Sequence, residues 1–241
     1  KLEQSMIKLN QAIEINPFHT RAYFNLSMFT KLSDSEFTKF NLFSNDIMKN
    51  LNTIEKIDIY HARANFLDRN KEYLESKKMI TEANRLTNKI YGSNFNYLKT
   101  NIEYHRKQYK KIILQELSYK NDQDFIFIVG MPRSGKTIVE SILSCNPTIH
   151  CIDESNALEK SIQKLINENN KVKNLQYLYI NSLLNQKKSH KYICDTNPFN
   201  FIFTGYILTQ IKKAKIIFCQ RNMLDIAKEL YFKNLGPKYT F

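Results

Sequence analysis

A glycine-bounded segment in the second half of the chain has the composition of a phosphate-binding loop. Residues 130–137 read Gly-Met-Pro-Arg-Ser-Gly-Lys-Thr, with an apolar run before them and a helical pattern after them. In a strand-to-helix turn of this kind, backbone N–H groups converge on an anion and the helix N-terminus adds partial positive charge. Arg133 and Lys136 add cationic donors to the same turn. The segment therefore predicts a site for a phosphorylated ligand.

Three short apolar runs predict the strands that position this loop. They cover residues 125–129, 192–194 and 216–219, and each is followed by polar or turn residues and then by a helical pattern. That order is typical of a parallel α/β sheet, whose ligands bind at the carboxyl ends of the strands. Arg221 comes just after the third run, as Arg133 comes after the first. We therefore expect a three-stranded parallel sheet with both arginines at one edge.

The first half of the chain carries a weak internal repeat. Five residues match five others about two tetratricopeptide periods of 34 residues further on. They are Leu2, Ser5, Leu9, Ala12 and Ile15, matched to Tyr73, Ser76, Ile80, Ala83 and Leu86; Phe37, Phe40 and Ile47 supply a weaker middle repeat. The pattern predicts tetratricopeptide-type helical repeats over residues 1–120, with an ordinary helical bundle as the open alternative. Such a segment would act as a scaffold or as a surface for a protein partner.

A polar, turn-favouring run at residues 121–124 marks the expected domain boundary. It divides the chain into a helical segment, 1–120, and a C-terminally incomplete α/β nucleotide-binding domain, 121–241. The chain opens at Lys1 inside a helical pattern and stops at Phe241 soon after a strand-helix unit. We therefore expect both ends to be truncated and the sequence to be a fragment.

The composition narrows the class of partner. The chain has 36 basic and 23 acidic residues and a net charge of +13, which favours an anionic ligand. The lysines are spread along the whole chain rather than clustered in a basic stripe, so we expect no specific nucleic-acid binding. The apolar runs are too short for a membrane span, the four cysteines lack metal-site spacing, and we expect a cytoplasmic protein.

The wider sequence resembles the sulfotransferases, in particular bacterial tetratricopeptide-containing sulfotransferases related to protein-tyrosine sulfotransferases. Residues 130–137 resemble the family's G-M-P-R-S-G-T-T loop. Residues 144–147, Ser-Cys-Asn-Pro, resemble its S-x-x-P segment and are followed by His150 and Glu154. Residues 194–201, Cys-Asp-Thr-Asn-Pro-Phe-Asn-Phe, resemble the D-K-M-P-x-N-F segment, and residues 216–225 resemble I-I-x-C-x-R-D-P-L-D. Residues 231–234 are close to Y-F-x-N.

The resemblance implies a fold, a donor and a set of roles. The fold is a P-loop-like parallel-sheet domain, and the donor is 3′-phosphoadenosine 5′-phosphosulfate, used without a metal. The 5′-phosphosulfate would be held by Arg133 and by the loop residues Ser134, Gly135, Lys136 and Thr137. Arg221 would hold the 3′-phosphate, since a guanidinium fork suits a dianion. Glu154 stands where the family places the general base. The acceptor would be a hydroxyl of a protein, with tyrosine as one class, or of a small molecule.

Three positions depart from the family pattern. Lys136 replaces a threonine in the loop, Thr196 replaces the lysine of D-K-M-P, and Glu229 replaces a serine eight residues after Arg221. We expect Lys136, as a second catalytic residue, to supply the cation that Thr196 cannot.

Two other functions remain open. Residues 130–137 also satisfy G-x-x-x-x-G-K-[ST], which predicts a P-loop kinase or nucleoside triphosphatase with Thr137 and Asp195 on magnesium. The other alternative is a catalytically inactive repeat-interaction protein with a degenerate nucleotide domain, which Thr196 and Glu229 favour.

Overall fold

The structure, a computed structural model, describes residues 2–29, 42–110, 123–167, 174–183 and 190–234. The chain divides into two compact units. The helical unit comprises Lys1–Phe95 and Leu230–Phe241, and the sheet unit comprises Asn96–Glu229. The predicted boundary at 120/121 falls within residues 111–122, which lie outside the described residues, so the domain division at that point stays a prediction.

The helical unit contains five helices among its described residues before Phe95. They are α1 (Leu2–Ile15), α2 (Thr20–Ser27), α3 (Asn45–Asn50), α4 (Thr53–Arg69) and α5 (Tyr73–Tyr91). A capping box starts α4: the Asn52 side chain accepts from the Glu55 N–H, and the Glu55 carboxylate accepts from the Asn52 N–H. No strand occurs within residues 2–29 or 42–110, as predicted.

The α4–α5 pair is packed through small residues. Ala62 and Ala83 are fully buried, which lets the two helices approach closely. The Ser76 hydroxyl donates to the Ala64 carbonyl at 2.9 Å, so this buried polar side chain has a hydrogen-bond partner inside the interface. Four of the five repeat positions predicted on α5 are buried, and the fifth, Tyr73, is exposed like its counterpart Leu2 on α1. Ile15 of α1 is also exposed, although its counterpart Leu86 is buried. The helices are present, and the tetratricopeptide class stays a prediction; Phe37 and Phe40 lie outside the described residues.

The sheet has four parallel strands where three were predicted. They are β1 (Asp124–Val129), β2 (Ile149–Cys151), β3 (Tyr192–Asp195) and β4 (Lys215–Phe218), in the order β2-β3-β1-β4. The strand that the sequence did not predict is β2. It is only three residues long, Ile-His-Cys, and half-buried, and it forms no apolar run. It lies at one edge of the sheet, and β4 lies at the other.

Helices cover the two faces of the sheet, as parallel sheets require. The described helices from Phe95 onwards are α6 (Phe95–Gln108), α7 (Lys136–Ser144), α8 (Ala157–Asn167), α9 (Leu175–Ser182), a 3₁₀ helix (Pro198–Phe203), α10 (Thr204–Gln210) and α11 (Met223–Phe232). One face of β1 presents Ile126 and Ile128 to Val139 and Leu143 of α7. The other presents Phe125 and Phe127 to a larger core that includes α8 and α9.

None of the helices in the described part of the chain combines the length and the apolarity needed to cross a membrane.

Candidate functional site

The strand register brings four strand ends to one edge of the sheet. Val129 of β1 pairs with Phe218 of β4, so residue 130 and residue 219 emerge side by side. The other side of β1 pairs with β3, and Cys151 of β2 pairs with Cys194 of β3. Because all the strands are parallel, the segments that follow them lie along the same carboxyl edge. This edge carries every site residue that the sequence singled out.

The loop after β1, residues 130–135, has a backbone that favours glycine. Gly130 has φ +147° and Gly135 has φ +99°, both in the region that side chains rarely adopt, and Arg133 also has a positive φ of 67°. A Cβ on Gly130 would lie 2.9 Å from Ser134 Oγ and would collide with the Cys219 carbonyl. The close approach of the two strand ends therefore requires a glycine at position 130.

This loop leaves polar donors without a protein partner at the start of α7. Gly135 is the N-cap and offers no side-chain cap, so the first N–H groups of the helix are not taken up by a capping side chain. The Ser134 hydroxyl is buried, and its oxygen has no hydrogen-bond partner among the described residues. Unpaired buried groups of this kind are costly unless a ligand satisfies them. An anion at the helix N-terminus would accept from all of these donors.

Lys136 lies underneath this loop rather than in solvent. Its side chain is buried, and Nζ donates to the Met131 carbonyl at 3.2 Å. Burial lowers the pKa of Lys136 below its ordinary value, while the nearby Glu154 carboxylate opposes that shift. One neutral carbonyl thus holds the ammonium at the loop. The ammonium can exchange this hydrogen bond for one to an incoming anion.

Arg133 and Arg221 lie next to each other at this edge. Arg221 Nη1 donates to the Arg133 carbonyl at 3.3 Å, although 88 positions separate the two residues. The Nε of Arg221 is 3.9 Å from the Asp225 carboxylate, one turn into α11. Both arginine side chains are exposed, so their guanidinium groups are available to a ligand.

Carboxylates lie on two segments near the loop. Glu154 is exposed in the segment after β2, and Glu140 is half-buried on α7, one turn after Lys136. Thr196 donates its hydroxyl to Glu140 Oε1 at 3.2 Å. Burial raises the pKa of Glu140 above its usual value, and the negative charges of Asp153 and Glu154 raise it further. The Glu154 carboxylate lies near the buried lysine, and Glu140 is engaged by Thr196.

Asp195, the last residue of β3, is engaged by the protein itself. It is 1% exposed. Oδ1 accepts from the Asn197 N–H at 3.0 Å and from Asn200 Nδ2 at 2.9 Å, while Oδ2 accepts from the Tyr179 hydroxyl at 2.8 Å. Burial raises the pKa of Asp195 to about 6 despite these bonds. Both oxygens are in use, which suits a structural anchor better than a metal ligand.

Residues 124–238 match the model of the Sulfotransferase family. Protein-tyrosine sulfotransferase 1 of Mus musculus and of Homo sapiens are each 22% identical to this chain over 122 residues, which is 44% of the chain and 33% of each relative. An uncharacterized protein of Aquifex aeolicus (strain VF5) is 24% identical over 194 residues, 72% of the chain and 26% of that protein. The matches thus span between a quarter and a third of the length of these relatives.

The sulfotransferase match covers the whole sheet and its carboxyl edge. Two of the positions that depart from the family pattern, Thr196 and Glu229, differ in their surroundings. Thr196 is buried and uses its hydroxyl on Glu140. Glu229 is half-buried near the end of α11. No group of three or more potential metal ligands occurs among the residues that the structure describes.

Two residues of the site were missed by sequence reasoning. Glu140 could have been found from its spacing of four residues after Lys136 on a predicted helix, which places both on one face. Asn197 carried no such signal, because its partners are more than 40 positions away. Contacts of that range depend on the β2–β3 pairing, and β2 itself was not predicted.

Proposed function

We propose that this chain transfers a sulfuryl group from 3′-phosphoadenosine 5′-phosphosulfate to a hydroxyl acceptor. The observation that carries the proposal is the meeting of the 130–135 loop and Arg221 at one sheet edge, inside the segment that matches the sulfotransferase family. The buried, unpartnered Ser134 hydroxyl and the uncapped start of α7 fit the 5′-phosphosulfate. Arg221 would then hold the 3′-phosphate.

The residues at the edge suit the chemistry. The acceptor oxygen attacks sulfur, the bond from sulfur to the bridging phosphate oxygen breaks, and 3′-phosphoadenosine 5′-phosphate leaves. Glu154 would take the acceptor's proton, and Lys136 would neutralise the charge that develops on the bridging oxygen. Arg133 and the backbone N–H groups from Ser134 to Thr137 would hold the donor in line. Protein tyrosine, the substrate named for two of the relatives, is the acceptor class that we propose first.

Two further functions make different use of the same residues. A P-loop kinase or triphosphatase needs a second magnesium ligand, and Asp195 is sequestered by three protein donors. One observation favours a catalytically inactive protein. Thr196 stands where the family pattern has a lysine, and its hydroxyl is bonded to Glu140. In that case the helical unit would be the working part, as a surface for a protein partner.

The deciding experiment measures ligand-induced thermal stabilisation in the presence of a metal chelator. A nucleotide that binds the native protein raises its apparent stability by an amount that grows with the logarithm of its concentration divided by its Kd. We expect 3′-phosphoadenosine 5′-phosphate to raise Tm without magnesium and to do so more than ATP. A larger effect of ATP with an absolute need for magnesium would favour the kinase. Binding of the 3′-phosphorylated nucleotide without transfer to a tyrosine peptide would favour the inactive protein.

A further inference from the structure

The segment that carries Glu154 is held by hydrogen bonds on both sides of that residue. This segment, residues 153–156, connects β2 to α8, and we call it the 153–156 loop. Asp153 has a positive φ of 55° and its carbonyl accepts from the Ser155 N–H at 3.0 Å. Exposed and irregular backbone of this kind needs outside contacts to keep one conformation.

One set of contacts reaches the loop before Glu154. The Thr196 N–H donates to the Asp153 carbonyl at 3.3 Å. The Thr196 hydroxyl also donates to Glu140 on α7. Asp153 is therefore tied directly to the residue that follows β3, and that residue is tied in turn to α7.

The other set comes from the Asn197 side chain and reaches the loop after Glu154. Asn197 Nδ2 donates to the Ser155 carbonyl at 2.8 Å and to Asn156 Oδ1 at 3.2 Å. The side chain is 6% exposed, so water does not compete easily for these bonds. Both of its amide protons are thus used on the loop.

The position of Asn197 is itself fixed. Its N–H donates to Asp195 Oδ1, and its side-chain Oδ1 accepts from the Phe199 N–H at 3.0 Å as the cap of the 3₁₀ helix. Asp195 is anchored in turn by Tyr179 and Asn200. The donors that reach the 153–156 loop therefore start from a rigid part of the sheet.

We propose that Asn197 is a positioning residue for Glu154, acting through Ser155 and Asn156. This inference rests on the proposed function, in which Glu154 is the general base. A base must lie within hydrogen-bond reach of the acceptor's proton, and displacements of about 1 Å can cost on the order of 100-fold in rate. Without the Asn197 donors, the loop would keep its tie at Asp153 but lose its tie beyond Glu154.

The test uses variants that separate the donor from the cap. Asn197→Ser keeps an oxygen that can cap the 3₁₀ helix, since serine is a good N-cap, but removes both donors. Asn197→Asp keeps the cap, but it places a carboxylate oxygen against the Ser155 carbonyl and Asn156 Oδ1, which are both acceptors. Asn174→Ser is the matched control, because Asn174 caps α9 through the Tyr177 N–H and, among the described residues, makes no hydrogen bond to the 153–156 loop.

Three quantities are measured on the full chain: the affinity for 3′-phosphoadenosine 5′-phosphate, single-turnover transfer from the donor to p-cresol as a phenol probe, and hydrogen exchange of the 153–156 amides. We expect Asn197→Ser to lower the transfer rate at least 10-fold, to leave nucleotide affinity within about twofold, and to speed exchange in the loop. Asn197→Asp should lose at least as much, and Asn174→Ser should match wild type.

A double-mutant cycle with Glu154→Gln decides whether Asn197 acts through Glu154. Residues that act as a unit give non-additive effects, so Asn197→Ser should cost little more once Glu154 is replaced. An undiminished loss in that background, an unchanged transfer rate, or a matching loss of nucleotide affinity would overturn the inference. Absence of nucleotide binding and transfer in the wild type would instead refute the proposed function, and with it the positioning of Glu154 by Asn197 for that reaction. The exchange rates would still report whether Asn197 holds the loop.

Discussion

The helical unit and the sheet unit both bury ionisable side chains, but each gives them different surroundings. In the helical unit, Asp58 is buried beside Arg21 at 3.2 Å, and His61 packs edge-on against the Phe24 ring. In the sheet unit, Lys136 and Asp195 are buried at the carboxyl edge of a sheet.

The difference concerns what surrounds the buried charge. Around Asp58 and His61 the described neighbours are helices that pack on one core. Around Lys136 there are an uncapped helix start, the Ser134 hydroxyl with no partner among the described residues, and the Glu154 carboxylate. Buried polarity alone therefore does not identify a site. Buried polarity next to unsatisfied donors at a sheet edge is a stronger indication.

The largest expected effect tests whether the buried charge in the sheet unit is there for chemistry. Lys136→Met keeps the apolar stem and removes the ammonium. We expect transfer to fall by about 10² to 10³-fold, because one preorganised charge at the developing anion is lost. The free energy of unfolding should change little, since burial of the ammonium costs energy and its one bond is to a neutral carbonyl.

The measurements for this variant are single-turnover transfer and urea denaturation. The matched control is Lys8→Met in the helical unit. Lys8 is exposed and donates to Gln11 at 3.2 Å, and neither quantity should change. Wild-type transfer by Lys136→Met would remove Lys136 from the site and would favour the inactive protein.

A stability effect of about 3 kcal/mol is expected from His61 as the pH falls. Burial, aided by the positive charge of Arg21, lowers the pKa of His61 from 6.5 to about 4. The unfolded chain therefore binds the proton more readily, and the stability contributed by neutral His61 is lost as the pH falls from 6.5 through about 4. His61→Leu should lack this loss. Urea denaturation of both proteins at pH 7 and pH 4 measures it, and parallel losses would contradict the assignment.

Asp195 should produce the opposite trend, with a similar or slightly smaller magnitude of about 3 kcal/mol. Because burial raises its pKa from 3.8 to about 6, the folded protein binds the proton more readily. The contribution is fully present below pH 3.8 and is lost as the pH rises through about 6. Asp195→Asn, whose amide can still accept from Asn197 and Asn200, should remove this dependence. A steeper loss with rising pH in the variant would show that the carboxylate stabilises the fold.

The smallest expected effect tests whether the two arginines serve one ligand. Arg221→Ala should weaken binding of 3′-phosphoadenosine 5′-phosphate more than that of adenosine 5′-phosphate, by roughly 1.5 to 3 kcal/mol for a charge-assisted bond. Arg133→Ala should weaken both nucleotides alike, because its task is at the 5′ end. Isothermal titration measures the four affinities.

The control for Arg221 comes from the helical unit. Arg85 also pairs with a carboxylate on its own helix, Glu82 at 2.7 Å, and it is exposed. Arg85→Ala should leave both affinities unchanged. Equal losses for the two nucleotides in Arg221→Ala would refute the assignment of the 3′-phosphate to Arg221.

The elements that the sequence predicted well are those with a strong local signal. The run 125–129 became β1, extended by one residue, because five consecutive apolar residues suit a strand buried on both faces. The glycine pattern of residues 130–135 predicted a strand-to-helix turn, and α7 begins directly after it. Strand β2 was missed because three residues carry too little pattern to separate a strand from a turn.

The sequence by itself predicted which groups would bind an anion and determined which strands they follow. It could not determine the register, and the register decides which side chains meet. The pairing of β1 with β4 places Arg221 on the Arg133 carbonyl, and the pairing of β2 with β3 places Asn197 on the 153–156 loop. The tertiary structure also decided that Lys136 is buried with Nζ on the Met131 carbonyl, and that the Thr196 hydroxyl donates to Glu140. These contacts depend on long-range strand pairing and on burial, which no local pattern encodes.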